Sequence, residues 1–323
     1  MRADPMRAKP SVGTMDGAAR LDPVLRAVAT MRTDFSPAAI QVLREPFNQR
    51  RRDTVAHDVA AAPVFGITQD SVAGPGGPVP VRIYRGGAAW SPVVVYCHAG
   101  GFALGNLDTD DRQCRELARR ARCVVVSVDY RLAPEHPYPA ALDDAFAVVN
   151  WVATNASELG VDATRLAVAG SSAGATLAAC LAHRAAEASS PPVVFQLLHQ
   201  PVLDDRGTGS KAEFRTSPAF DGEAAEWMWS YYLAGAAPES AVPARRHQLG
   251  GLPTTLITCA EIDPFRDEAV DYARRLLEAG VCTELHVFPR VCHGFDSLLP
   301  DWSVSQRLFD LQAHALSNAF TPS

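Results

Sequence analysis

The sequence predicts a mostly parallel β-sheet covered by helices on both faces, and three observations carry that expectation. Short β-branched runs alternate with helical segments of ten or more residues. A glycine-flanked serine, Gly170-Ser171-Ser172-Ala173-Gly174, stands where an apolar run gives way to an alanine-rich helix. An acid, Asp263, and a histidine, His293, each follow a later apolar run, at the strand ends where open sheets hold their ligands.

Taken in order, residues 1–20 are polar with glycines and no periodicity, which predicts disorder. Leu21, Val24, Leu25 and Val28 recur at helical spacing. Ile40, Val42 and Leu43 suggest a second short helix, giving a helical segment to about residue 50. The short basic stretch Arg50-Arg51-Arg52 reads as a solvated linker face. A Gly/Pro-rich turn at 73–78 separates strands at 64–68 and 79–84. Strands are then expected at 93–98, 123–128, 166–170, 193–199, 254–259 and 283–288. Helices are expected at 110–121, 140–154, 174–186, 264–279 and 303–316. Between Pro201 and Pro253 no strand appears, only an aromatic-rich helix at 226–233. An insertion of that size exceeds an ordinary connection. With the N-terminal helices it would form a lid over one end of the sheet. The expected division is a disordered start (1–20), a first lid part (21–55), an α/β domain (56–200 and 250–323) and a second lid part (201–249).

Composition narrows the function classes. The chain has 323 residues, 47% hydrophobic and 20% charged, as a soluble globular protein has. A formal charge of -6 without a basic, aromatic-studded run offers no nucleic-acid footprint. Seven cysteines without a C-x-x-C pair, an odd count, point to a reducing compartment, so a cytoplasmic location is expected. Cys97, Cys123 and Cys259 fall in apolar runs and read as small buried hydrophobes. Charges at Arg2, Asp4, Arg7, Lys9 and Asp16 leave no signal peptide. The most apolar stretch, 166–182, is broken by Gly170, Ser171, Ser172 and Gly174, so membrane insertion is not expected. No His/Asp/Glu cluster has metal-ligand spacing, and no metal is expected.

The chemistry sits in three loops. A sharp strand-to-helix turn holds its apex in strained backbone geometry, so Gly170 and Gly174 are needed where a side chain would clash. Ser172 is then lifted above the sheet edge, and Ser171, one step earlier, points aside. A serine at its ordinary pKa is a weak nucleophile and needs a base. Of nine histidines, His183 and His286 read as packed in a helix and a strand, and His57, His247 and His314 as linker or surface residues. His199 ends a strand and could border a pocket. His293 lies in a strand-end loop and is the candidate base. Asp263 would fix its tautomer, whereas Asp267 and Glu268 suit the first turn of the next helix. His98-Ala99-Gly100-Gly101 follows a strand, so the N–H groups of Gly100 and Gly101, with that of Ala173, could hold an oxyanion. For His98 itself a loop-stabilising hydrogen bond is the expected role.

Four ordered blocks now carry a resemblance over roughly residues 60–320. They are His98-Ala99-Gly100-Gly101-Phe102, Asp129-Tyr130-Arg131-Leu132-Ala133-Pro134-Glu135, Gly170-Ser171-Ser172-Ala173-Gly174, and Asp263-Pro264-Phe265-Arg266-Asp267-Glu268 with His293-Gly294-Phe295. The chain resembles the bacterial hormone-sensitive-lipase-like esterases of the α/β-hydrolase superfamily, in which nucleophile, acid and histidine follow in that order. The resemblance implies an α/β-hydrolase fold with an eight-stranded sheet and a helical cap, hydrolysis of carboxylic esters through an acyl-enzyme, and no cofactor. It admits a homodimer through a sheet edge, which no residue here specifies. Two departures stand out: Ala99 replaces the first glycine of H-G-G-G, and Ser171 and Ala175 replace the Asp and last Gly of G-D-S-A-G-G. They bear on subfamily and acyl preference. The 129–135 block reads as structural, holding the loop under the site.

Phe102, Leu104, Leu203 and the lid residues Trp227, Met228, Trp229, Tyr231 and Tyr232 are candidate pocket residues, although such a stripe is more often lid core. The substrate expected is a small ester of short to medium acyl chain. The alternatives are an amidase or transacylase using the same triad, and a non-catalytic small-molecule-binding homologue.

Overall fold

The computed structural model describes residues 15–58, 63–187 and 191–321. Eight strands form one sheet: β1 (Gly66–Gly74), β2 (Gly77–Arg85), β3 (Ser91–Cys97), β4 (Val124–Val128), β5 (Val161–Ser171), β6 (Val193–His199), β7 (Thr254–Ile262) and β8 (Thr283–Cys292). Their spatial order is β1-β2-β4-β3-β5-β6-β7-β8. β1 and β2 run antiparallel to their neighbours and the rest is parallel.

The valine runs explain the central strands. β3 and β4 are buried along their whole length, because a strand covered on both faces has no solvent side and needs no polar alternation. Successive side chains still point to opposite faces. Val93, Val95 and Cys97 enter one core with Val148, Leu177 and Tyr272, which lie on α4 (Ala140–Thr154), α6 (Ala173–Glu187) and α10 (Arg266–Glu278). Val94 and Tyr96 enter the other with Leu117 of α3 (Asp111–Ala121) and Leu316 of α12 (Ser303–Ala319). The small helices α5 (Ala156–Leu159) and α11 (Phe295–Leu298) complete the α/β part.

Three strands run further than their apolar stretches. β1 continues through polar Gln69–Ser71 because it is an edge strand facing water. β5 begins at Val161, ahead of a polar stretch that includes Asp162, Thr164 and Arg165. β8 continues past Pro289, which reads as a stop in sequence but is tolerated on an edge strand. Arg290 takes a positive φ of 60°, and the ladder shifts register between Ala260 and Ile262.

The N-terminal segment differs from expectation. Residues 1–14 of the expected disordered start lie outside the described residues, but 15–20 are packed. Asp16 accepts a hydrogen bond from the Thr216 N–H at 2.9 Å, and Arg20 pairs with Glu213 and Glu261. After the short α1 (Pro23–Arg26), α2 spans Pro37–Asp58, far longer than the expected short helix. Its second half has no apolar stripe to betray it. It is held by polar contacts such as Gln49 to Asp53 at 2.8 Å, and Arg44 donates to the Ala103 and Ala133 carbonyls at 2.7 Å. Arg50 and Arg52 are exposed as expected, but Arg51 is partly buried and donates to Ser297 Oγ at 2.8 Å.

Between β6 and β7 there are helices α7 (Gly209–Glu213), α8 (Gly222–Leu233) and α9 (Pro238–Ala241), and no strand. Tyr231 of α8 donates its hydroxyl to the Phe35 carbonyl at 2.8 Å, joining this insertion to the N-terminal segment. Among the described residues no helix is long and apolar enough to cross a membrane.

His286, expected to be packed, is half-buried and faces Glu284 at 2.6 Å. His183 is buried as expected, 3.1 Å from the Tyr272 hydroxyl, and burial pulls its pKa down to about 4. The unfolded chain takes up this proton near its ordinary value of about 6.5, while the folded chain resists it. His183 therefore costs stability as pH falls from 6.5 towards 4. By pH 5 that cost is about 2 kcal/mol. Urea unfolding at pH 7 and pH 5 should show His183→Gln losing about 2 kcal/mol less than wild type over this interval. Equal losses would contradict the assignment.

Candidate active site

The serine loop follows from close approach of backbone. β5 ends at Ser171, whose ladder partner is His199, and α6 starts two residues later at Ala173. A Cβ on Gly170 would lie 2.3 Å from the Gly174 carbonyl oxygen, and one on Gly174 would lie 2.0 Å from that of Cys97. Neither position has room for any side chain. Between them Ser172 sits at φ 55°, a conformation costing of order 1–3 kcal/mol for a non-glycine residue. Its N–H donates to the His199 carbonyl at 2.8 Å, and its carbonyl accepts from the Ala175 N–H at 3.0 Å, which holds the strained turn.

The acid and the histidine are neighbours by register. The last pair of the β7–β8 ladder is Ile262 opposite Cys292, so the next residues outward are Asp263 and His293. His293 Nδ1 donates to Asp263 Oδ2 at 2.8 Å, and Ser172 Oγ donates to His293 Nε2 at 2.9 Å. Asp263 is fully buried, and its other oxygen accepts from the Phe265 N–H at 2.9 Å. The structure thus brings Ser172, His293 and Asp263 into one hydrogen-bonded chain.

The loop after β3 faces the serine turn. Gly100 has φ 132°, and a Cβ there would lie 2.0 Å from the Leu104 carbonyl oxygen. Among the described residues the N–H groups of Gly100 and Gly101 donate to no protein acceptor. Ala173 is the first residue of α6, where an N–H has no intrahelical partner. The loop is held from behind: the Ala99 N–H donates to Asp110 Oδ2 at 2.8 Å, and Tyr130 donates to the His98 carbonyl at 2.7 Å. His98 contacts the Ala99 carbonyl at 2.7 Å and stacks on Tyr130, a loop-stabilising role. The 129–135 block contributes Tyr130 here, and its Ala133 N–H donates to the Phe102 carbonyl at 2.9 Å.

The expected pocket residues sort into different places. Phe102 is buried and stacks on Tyr232 at 3.8 Å, with Trp229 at 5.7 Å, an aromatic pile between the glycine loop and α8. Leu104 closes the glycine loop by donating to the Gly100 carbonyl, and Leu203 donates to Glu268 at 2.7 Å. Trp227 is 42% exposed and stacks on Tyr231. Met228 borders the loop, with its Cγ 3.5 Å from a Cβ built on Gly101.

Residues without a sequence signal complete the site. Phe35 lies 2.6 Å from the same built Cβ and meets Phe220 edge-on at 5.1 Å. The rings of Phe220 and Phe265 lie 5.8 and 5.2 Å from that of His293. Gln200, at the end of β6, accepts from the Gly294 N–H at 2.5 Å and so grips the residue after His293. Gln200 also donates to Asp296 at 3.2 Å, and the His199 ring lies 3.1 Å from the same carboxylate. His199 therefore sits behind the loop, in contact with Thr258 and Asp296. Glu268 does more than suit a helix dipole: it is buried, pairs with Lys211 at 2.6 Å, and burial pushes its pKa up to about 7. Only a stray glutamine after an apolar run and an aspartate after H-G-F could have hinted at the contacts that hold the loop after His293.

Known proteins share this fold. Residues 94–297 match the family described as alpha/beta hydrolase fold. Esterase LipI of Mycobacterium tuberculosis is 40% identical, over 87% of this chain and 90% of its own length. Ethyl acetate hydrolase of Pseudomonas putida is 36% identical, over 67% of this chain and 71% of its own. Among solved structures, esterase LipW from Mycobacterium marinum superposes with a TM-score of 0.93 at 69% identity, covering 95% of this chain and 98% of that one. A bacterial heroin esterase superposes with a TM-score of 0.86 at 34% identity, covering 94% and 99%.

The close approaches separate two small substitutions. Gly174→Ala forces a methyl group against the Cys97 carbonyl and should cost about 3 kcal/mol or more in denaturant unfolding. Ala99→Gly only frees backbone and should cost about 1 kcal/mol or less. Equal losses would show that the serine turn is not packed as described.

Proposed function

We propose that this chain, which belongs to the hormone-sensitive-lipase-like esterases of the alpha/beta hydrolase fold family and is a carboxylic ester hydrolase, cleaves its esters through Ser172, His293 and Asp263. The observation that carries the mechanism is the continuous hydrogen-bonded chain from hydroxyl to imidazole to buried carboxylate. As Ser172 Oγ attacks the ester carbonyl carbon, its proton passes to His293 Nε2. Asp263 keeps Nδ1 protonated and stabilises the imidazolium. The carbonyl oxygen becomes an oxyanion, met by the N–H groups of Gly100, Gly101 and Ala173. Collapse breaks the C–O bond, and the alcohol leaves with the proton from His293. Water then gives a proton to the same nitrogen as its oxygen attacks the acyl carbon, the bond from that carbon to Ser172 Oγ breaks, and the proton returns to Oγ as the acid leaves.

Substrate size follows from what covers the site. Ser172 is 5% exposed, and Phe35, Met228, Phe220 and Phe265 crowd the glycine loop and His293. An apolar, partly closed site favours esters of short to medium acyl chain. The N-terminal segment and the β6–β7 insertion act as the lid that sets this limit.

Purified protein should hydrolyse p-nitrophenyl esters from acetate to about hexanoate, with kcat/KM falling for longer chains. Ser172→Ala should lower kcat by about 10⁴-fold or more, and Asp263→Asn by about 10³–10⁴-fold. A wild type most active on long acyl chains would overturn the size limit. An active Ser172→Ala would overturn the mechanism.

A further inference from the structure

Helix α2 turns one face towards the catalytic loops. Arg44 and Arg51 are seven residues apart, two turns along the same face. Arg44 grips the glycine loop through the Ala103 carbonyl at 2.7 Å, and Arg51 grips Ser297, four residues beyond His293, at 2.8 Å. The Arg51 guanidinium also packs over the Phe47 ring at 5.1 Å.

Behind Arg51 lies a small cavity of about 30 Å³ that it shares with Asp110 and Asp296. These two carboxylates serve different halves of the site. Asp110 accepts from the Ala99 N–H at 2.8 Å and from Tyr96 at 3.0 Å, which ties down the glycine loop. Asp296 accepts from Gln200 at 3.2 Å, and Gln200 holds the Gly294 N–H, which ties down the histidine loop. Burial alone would favour the neutral form of Asp296, and among the described ion pairs neither carboxylate makes a close pair with an arginine or lysine. His199 faces Asp296 from β6 at 3.1 Å, and despite burial this contact keeps the Asp296 carboxyl below the usual carboxylate range. Arg51 lines this cavity with both carboxylates, as do Asp108 and Arg112; burial pulls the Arg51 pKa down, and Asp110 and Asp296 pull it back up.

We propose that Arg51 is a positioning residue for ester hydrolysis: carried in on α2, its charge lies in one cavity with Asp110 and Asp296 and so sets the glycine loop and the histidine loop together. The cavity has room for a water to relay the contact, since one water needs about 10–15 Å³. Docking of α2 is thereby coupled to the two loops that must converge on the substrate. The inference rests on the Ser172–His293–Asp263 reading above.

The experiment compares Arg51→Gln, Arg51→Lys and Arg52→Gln with wild type on p-nitrophenyl acetate. Glutamine removes the charge and shortens the side chain, and lysine keeps the charge without the planar guanidinium. Arg51→Gln should lower kcat about tenfold with KM changed less than twofold, and Arg51→Lys should retain at least a third of wild-type kcat. Arg52→Gln, on the exposed face, should match wild type. The double variant Arg51→Gln/Asp296→Asn should lose less than the product of the two single losses, because both changes remove one shared interaction. An unchanged kcat in Arg51→Gln, equal losses in the lysine and glutamine variants, or losses that multiply independently would overturn the proposal. If Arg51→Gln does not fold, the lysine variant decides: kcat below a tenth of wild type in a folded chain overturns it. Failure of wild type to hydrolyse any ester would sink the triad reading instead.

Discussion

Everything in this site depends on bringing an imidazole carried at one edge of the sheet to a hydroxyl carried three strands inward. Neighbouring strands lie roughly 4.8 Å apart, so the gap from β8 to β5 is about 14 Å at the strand ends. Three features close it. The irregular end of β8 sets Cys292 opposite Ile262, so His293 starts beside Asp263. The chain then turns back over the sheet, and Gln200 at the end of β6 catches the Gly294 N–H midway. The serine turn, finally, presents Ser172 outward from β5 towards it.

The arrangement is held by backbone rather than by side-chain packing alone. Ser172 occupies an unfavourable φ because its N–H and carbonyl are both engaged by neighbouring chain. Asp263 is buried with each oxygen used, one by His293 and one by the Phe265 N–H. The N–H groups of Gly100 and Gly101, by contrast, are left without protein acceptors among the described residues, so they need not reorganise when negative charge develops nearby. The polar groups that are satisfied do the positioning, and those left unsatisfied are the oxyanion donors proposed above.

Much of this was legible in the residues. Alternating apolar and helical runs gave the sheet and its two covering layers, because a doubly covered strand must be apolar throughout. Gly170 and Gly174 announced the serine turn, since no other residue fits against the Cys97 carbonyl. The position of His293 past a strand end separated it from His183 and His199, which are packed. What escaped has a common cause: the interactions are polar and distant in sequence. Helix α2 lacks an apolar stripe in its second half, where it is held by polar contacts such as that of Arg51 with Ser297. Arg51 looks like one of three solvated arginines until Ser297 is found beside it. Gln200 and Asp296 are ordinary loop residues in sequence, and the aromatic wall of Phe35, Phe220 and Phe265 joins three separate segments.

The helices that cover the site are therefore also part of its frame: α2 and α8 touch the glycine loop from two sides, through Arg44 and through the Phe102–Tyr232 stack. At the centre stands the hydroxyl–imidazole contact of 2.9 Å, which should make Ser172 far more nucleophilic than any other serine. Intact-protein mass spectrometry after a brief fluorophosphonate exposure tests this most directly. The account predicts a single adduct, mapped to Ser172 and lost in His293→Asn. Labelling of His293→Asn at the wild-type rate, or an adduct elsewhere, would contradict it.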